Sequence, residues 1–110
     1  MNKLAIGIDT SNYTTSLALV RDGVVIKNVR RLLPVAEKER GLRQSDALFY
    51  HTKALPELFK GLFADEYTPS DVACVGVSST PREEPGSYMP CFLAGVSVAT
   101  AISSSLCVPL

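Results

Sequence analysis

The sequence predicts an α/β fold with the element order β-β-β-α-β-α, and three features carry that reading. The first 33 residues hold three short runs rich in apolar and β-branched residues, separated by turn formers. Two later segments read as helices, the first with its apolar residues at helical spacing. Between them lies Val72-Ala73-Cys74-Val75-Gly76-Val77, almost wholly apolar, as in a central strand buried on both faces. The chain has 110 residues, 46% hydrophobic and 20% charged, which are the proportions of a folded domain. One domain is the expectation at this length. Such a chain buries roughly 60–70% of its unfolded surface, enough for one core but not for two lobes closing on a ligand.

Each element has its own signal. Leu4-Ala5-Ile6-Gly7-Ile8 ends at Asp9 and reads as a buried strand. Thr10-Ser11-Asn12-Tyr13-Thr14 is polar and turn-like. Thr15 to Val20 reads as a second strand. Asp22-Gly23 after Arg21 is a two-residue hairpin signal. Val24 to Leu33 reads as a third strand, so the three form an antiparallel meander. Residues 34–41 make a charged connector. Ser45 or Asp46 stands where a cap belongs for a helix running to about Phe63, with Leu48, Leu55, Leu58, Phe59 and Leu62 on one face. Pro56 lies inside that helix and lacks a backbone donor, so a kink or restart is expected there. Residues 65–71 read as a loop. After the strand at 72–77 comes a polar loop over 78–90, then a helix of small residues from Cys91 to about Leu106. Val108-Pro109-Leu110 reads as the approach to a further strand, which leaves the edge of 72–77 uncovered and predicts marginal stability.

Composition excludes several classes. No stretch reaches the ~18 apolar residues of a membrane span. The start lacks the long apolar region and cleavage site of a secretory signal, so a cytoplasmic protein without membrane contact is expected. Cys74, Cys91 and Cys107 fit no zinc or redox spacing, and an odd count suits a reducing compartment. Eleven basic and eleven acidic residues cancel, which argues against global attraction to nucleic acid. Residues 27–43 are locally basic, with six basic and two acidic side chains. They touch RNA phosphates in one reading and form a solvated edge in the plainer one, because aromatic interleaving is missing.

Two loops are candidates for chemistry. The first is Asp9-Thr10-Ser11 and the turn that follows. A carboxylate at a strand end suits a hydrated Mg²⁺, and neighbouring hydroxyls and turn amides suit phosphate oxygens. The plainer alternative is an ordinary hairpin rich in turn formers. The second is the loop 78–88, after a strand and before a helix, where open α/β sheets place ligands and where a helix offers its amino end to an anion. Arg82 favours an anion there and Glu83 and Glu84 oppose it; a proline-stiffened solvent loop is the plainer reading. His51 falls on the apolar helix face, where a core-edge histidine with one hydrogen bond is the plainer reading, and one histidine makes no typical zinc site. Cys74 is expected in the strand core, and Cys91 and Cys107 as filler at helix ends.

The element order is that of a ribonuclease-H-like half-domain of the actin/hexokinase-type ATPase fold, an analogy of fold and not of function. The residues add a resemblance. Ile6-Gly7-Ile8-Asp9-Thr10-Ser11 resembles the opening of the TsaD-type tRNA threonylcarbamoyltransferases, long called O-sialoglycoprotein endopeptidases or glycoproteases. The basic connector, the helix with His51 and Pro56, the strand at 72–77, the loop before Phe92-Leu93-Ala94-Gly95 and the closing Val108-Pro109-Leu110 follow in the family's order. Arg31-Leu32-Leu33-Pro34, Gly41 to Phe49 and Gly86 to Pro90 resemble a glycoprotease-like paralogue subgroup.

The resemblance implies a two-lobed parent that transfers threonylcarbamoyl from an adenylate to N6 of a tRNA adenosine. It also implies a divalent metal and an acyl-adenylate or ATP for that parent, held by a His-x-x-x-His pair beyond residue 110 and an Asp of a second lobe. Residues 1–110 are then expected to be one truncated amino-terminal lobe, without turnover, bound cofactor or metal of its own. Only Asp9, Thr10 and Ser11 carry over, near the metal–phosphate region. Tyr13 and Thr14 replace the family's acidic pair in the first turn, and its Gly-Pro-Gly is replaced around 80–85. Two alternatives follow from the resemblance: a non-catalytic partner subunit, pairing or self-associating through this lobe, and a metal-dependent glycopeptidase. The residues favour the latter least, having no HExxH, no triad and no cysteine–histidine pair.

Overall fold

The computed structural model describes residues 3–11, 13–34, 43–63, 68–87 and 89–110. Four strands and two helices follow in the expected order. They are β1 (Leu4–Asp9), β2 (Thr14–Arg21), β3 (Val24–Leu32), α1 (Gln44–Leu62), β4 (Val72–Val77) and α2 (Cys91–Leu106), with a 3₁₀ turn at Pro69–Asp71 before β4. The sheet order is β3-β2-β1-β4. β1 and β3 flank β2 antiparallel, and β4 joins β1 in parallel. The meander therefore forms as the hairpin signals require. Asp22 and Gly23 take φ 51° and 79°, the left-handed pair that closes a two-residue loop with the twist of its strands.

Both helices pack on one face of the sheet. Ile6, Ile8, Leu17, Leu19 and Val75 point into that layer and meet Leu55, Leu58 and Leu62 of α1 and Ala94 and Ala99 of α2. α1 buries Ala47, His51, Ala54, Leu55, Leu58 and Leu62, so the expected stripe holds, with Leu48 and Phe59 at its margin. Two side chains of β3 brace α1 from the edge: Lys27 donates to the Gly61 carbonyl at 2.6 Å, and Arg31 pairs with Glu57. Part of the basic run is thus spent on packing. The connector at 34–41 lies outside the described residues beyond Pro34.

Four expectations need correction. Neither Ser45 nor Asp46 caps α1; the helix begins at Gln44, with Arg43 as its N-cap and no side-chain cap bond. Pro56 does not divide the helix, which runs unbroken through it. Pro56 and Thr52 are both exposed, so water can hydrate the Thr52 carbonyl that loses its partner. Residues 69–71 are a 3₁₀ turn, closed by a capping box between Thr68 and Asp71; residues 65–67 lie outside the described set. β4 is an edge strand, and only one of its faces is covered: Val72 and Val75 are buried, while Ala73 and Gly76 are exposed and Cys74 is half-buried rather than core. A nearly all-apolar run reads as buried on both faces, yet here one layer of helices covers one side.

Past α2 the chain turns at Cys107, a left-handed residue with φ 56°. Val108 N–H reaches back to the Ser103 carbonyl at 3.0 Å, and the Pro109 carbonyl accepts the Val75 N–H at 3.0 Å. The last residues therefore run to the outer edge of β4, as the approach to a strand should.

Candidate functional site

The carboxyl ends of β1 and β4 lie side by side because the two strands are parallel, with Ile8 opposite Val77. That register sets Ser78 beside Asp9. Asp9 Oδ1 accepts the Ser78 hydroxyl at 2.8 Å and the Ser11 backbone N–H at 2.9 Å. Burial acts to raise the Asp9 carboxyl, but the bonds from Ser11 and Ser78, with a smaller contribution from charge on His51, outweigh it and hold the group below the usual aspartate range. Asp9 is thus an ionised, partly exposed carboxylate with one oxygen fixed.

It stands at the rim of a concavity of about 390 Å³ on the sheet face opposite α1 and α2. Gly7, Ala18 and Gly76 form its floor in one cross-strand row. Asp9, Ser16, Asn28 and Ser78 supply the polar wall. A floor without bulky side chains lets a ligand reach the backbone, and the wall offers hydroxyls, an amide and one charge.

Thr10 has a different position from its neighbour. It is wholly buried, its hydroxyl donating to the Cys91 carbonyl at 2.9 Å and accepting the Gly95 N–H at 3.2 Å. It ties the end of β1 to the first turns of α2. Gly95 makes that approach possible: a Cβ there would lie 2.9 Å from Thr10 Oγ1 and 3.3 Å from methyls of Ile8 and Val77. Ser11 is half-buried, and its carbonyl lies 3.8 Å from the Cys91 thiol. Burial pushes that thiol upward, which keeps it protonated. Asn12 lies outside the described residues.

The second candidate loop, 78–88, touches this site through Ser78. The amino end of α2 is already occupied by protein groups. Cys91 N–H donates to Gln44 Oε1 at 3.1 Å, Phe92 and Leu93 N–H to the Met89 and Pro90 carbonyls, and Gly95 N–H to Thr10. An anion finds no orphan donor among these. Arg82 lies 3.9 Å from Glu84 within its own exposed loop, a pairing worth little. Of the described residues of this loop, Ser78 alone lines the concavity. His51 is deeper than a core edge: it is fully buried, with Nδ1 2.7 Å from Thr15 Oγ1.

Gln44 and Asn28 carry no mark in the sequence, whereas Ser16 closes the first candidate segment and Ser78 opens the second. The place of Ser78 beside Asp9 was legible in principle, since β1 and β4 run parallel in the expected topology and their end residues are neighbours. Gln44 carried no signal, because its partner lies 47 residues away. Among the described residues no three His, Cys, Asp or Glu converge on a metal position, and no helix is long and apolar enough to cross a membrane.

No family model matches the chain. It is 33% identical over 110 residues to a protein of Pyrobaculum calidifontis named tRNA N6-adenosine threonylcarbamoyltransferase, covering 98% of this chain and 30% of that protein. A protein of the same name from Pyrobaculum aerophilum is 28% identical over 109 residues, with 97% and 30% covered. The resemblance is to the TsaD-type, glycoprotease-like family. The chain spans about 30% of the length of these TsaD-type relatives. Among solved structures, YeaZ from Pseudomonas aeruginosa superposes with a TM-score of 0.70 at 15% identity, over 98% of this chain and 42% of that one. A second structure, described as similar to peptidase YEAZ from Pseudomonas aeruginosa, gives 0.54 at 15% identity, over 98% and 43%. At such identities these two bear on fold alone, and the fold is the ribonuclease-H-like half-domain of the actin-like ATPase type.

Proposed function

We propose that this chain is the opening lobe of a two-lobed, threonylcarbamoyltransferase-like protein of tRNA modification. The intact protein moves a threonylcarbamoyl group from an adenylate to N6 of a tRNA adenosine. The likeness over 98% of the chain to proteins named for that reaction carries this reading. Asp9 then borders the phosphate end of a nucleotide lying in the concavity above Gly7 and Gly76, with Ser11 next to it in the turn. Asp9 contributes the charge, and Ser11 and Ser78 fix its plane. Thr10 works from inside, holding the turn against α2.

A divalent metal, when bound to the intact protein, neutralises phosphate charge. Asp9 belongs to no group of three or more His, Cys, Asp or Glu among the described residues, so it fits contact through water and no inner cage. In this proposal the remaining ligands and the far wall of the cleft come from the second lobe, so these 110 residues turn over no substrate alone. A cytoplasmic setting and a family partner subunit belong to the same reading.

The test is disruption of the gene, followed by mass-spectrometric measurement of N6-threonylcarbamoyladenosine in bulk tRNA. A clear fall is expected, and unchanged levels overturn the reading. An antibody to this segment should detect a native species about three times its length, in proportion to the relatives. A species of 11.8 kDa would rule out the two-lobed parent.

A second reading, a non-catalytic partner subunit, is favoured by one observation. Tyr13 and Thr14 stand in the turn where the family resemblance leads one to expect an acidic pair, and the α2 amides beside that turn are satisfied internally. Asp9→Ala in the intact gene separates the two. Loss of the modified nucleoside supports the transferase, and retention supports the partner subunit.

A further inference from the structure

α1 is polar at one end in a way that core packing does not require. His51 and Thr15 are both fully buried, and a buried imidazole costs stability unless its polar atoms are bonded. A leucine would fill the same layer without that cost. Gln44 lies seven residues before His51, two helical turns away and on the same side of α1. Its Oε1 accepts the Cys91 N–H at 3.1 Å, and the Cys91 carbonyl accepts the Thr10 hydroxyl. His51 Nδ1 meets the Thr15 hydroxyl at 2.7 Å. The two contacts fall on the two flanks of one turn. Thr10 is where the chain leaves β1, and Thr15 is where it has entered β2. Between them stands Ser11, whose N–H holds Asp9 Oδ1.

We infer that Gln44 and His51 are positioning residues, gripping the turn between Thr10 and Thr15 from α1 so that Ser11 and Asp9 keep a fixed geometry toward the concavity. The inference rests on the reading of that turn as a ligand site. It predicts a local effect beyond the general stabilisation that any buried hydrogen bond gives.

The experiment uses the 110-residue chain and NMR. Amide exchange at Ser11 is compared with exchange at Leu17 and Leu19, and the Asp9 carboxyl is titrated by its ¹³C shift. The variants are His51→Leu, His51→Asn, Thr15→Val and Gln44→Leu. Thr15→Val keeps shape and keeps the imidazole, so any electrostatic influence of His51 on Asp9 remains while the bond is lost. The expected result is that Ser11 exchange in Thr15→Val, His51→Leu and Gln44→Leu rises about tenfold more than exchange at the core amides. The Asp9 midpoint should also rise in Thr15→Val. His51→Asn, which places an amide group near the Nδ1 position, should recover most of the Ser11 protection. Uniform acceleration at all amides with an unmoved Asp9 midpoint would make His51 a packing histidine and overturn the inference. If His51→Leu does not fold, Thr15→Val and Gln44→Leu decide it. Titration of the intact two-lobed protein with Mg·ATP is read separately at Gly7, Ser11 and Ser78. Absence of shifts there counts against the ligand reading and leaves the positioning result standing.

Discussion

Gly95 shows how one missing side chain sets the site. α2 descends onto the ends of β1 and β4 at this residue, and its N–H reaches the Thr10 hydroxyl only because no Cβ intervenes. Gly95→Ala should destabilise the chain by about 1–3 kcal/mol through overpacking, despite the better helix propensity of alanine. Urea denaturation checks this; a stabilised variant would mean that α2 can move away freely. Asp9 gives a second prediction at this scale. Its folded-state value lies below the unfolded one of about 3.9, so its contribution to stability is present above that pH and is lost as pH falls through the folded value. Ser78→Ala removes one of the bonds that depress it, so the Asp9 midpoint should rise by NMR. An unmoved midpoint would show that Ser11 alone holds the carboxylate.

Among the elements, the β2–β3 hairpin and the β4 edge behave oppositely. The hairpin is fixed by its turn. Gly23 at φ 79° has open space around it, so Gly23→Ala costs backbone strain alone, about 1–2 kcal/mol. Chemical denaturation measures that cost directly. β4 is half-paired. Its Ser78-side amides point to β1, as the 3.1 Å bond from Ser78 N–H to the Ile8 carbonyl shows, while Val75 points outward to Pro109. Exchange should therefore be slow at Cys74, Gly76 and Ser78 and fast at Ala73 and Val77. Protection at Ala73 and Val77 would reveal a strand paired along that edge.

For the molecule as a whole, one layer of helices on one sheet face limits the apolar area that folding removes from water. Net stability below about 5 kcal/mol is expected, with a broad thermal transition. A sharp, cooperative transition of the monomer would count against this. The uncovered face is also where the concavity lies, so the surface that costs stability is the one available to a ligand or a second lobe.

Residue order alone determined the meander, the Asp22-Gly23 hairpin, both helices to within about two residues and the position of Asp9 at a strand end. These depend on neighbours a few positions apart, through periodicity and turn chemistry. Tertiary structure decided what Thr10, Gln44, His51 and Gly95 do. Their partners lie 36 to 85 residues away, so no local pattern marks them. It also decided which face of β4 is covered. An apolar run states that burial is possible, and only the packing of α1 and α2 on one side states where burial occurs.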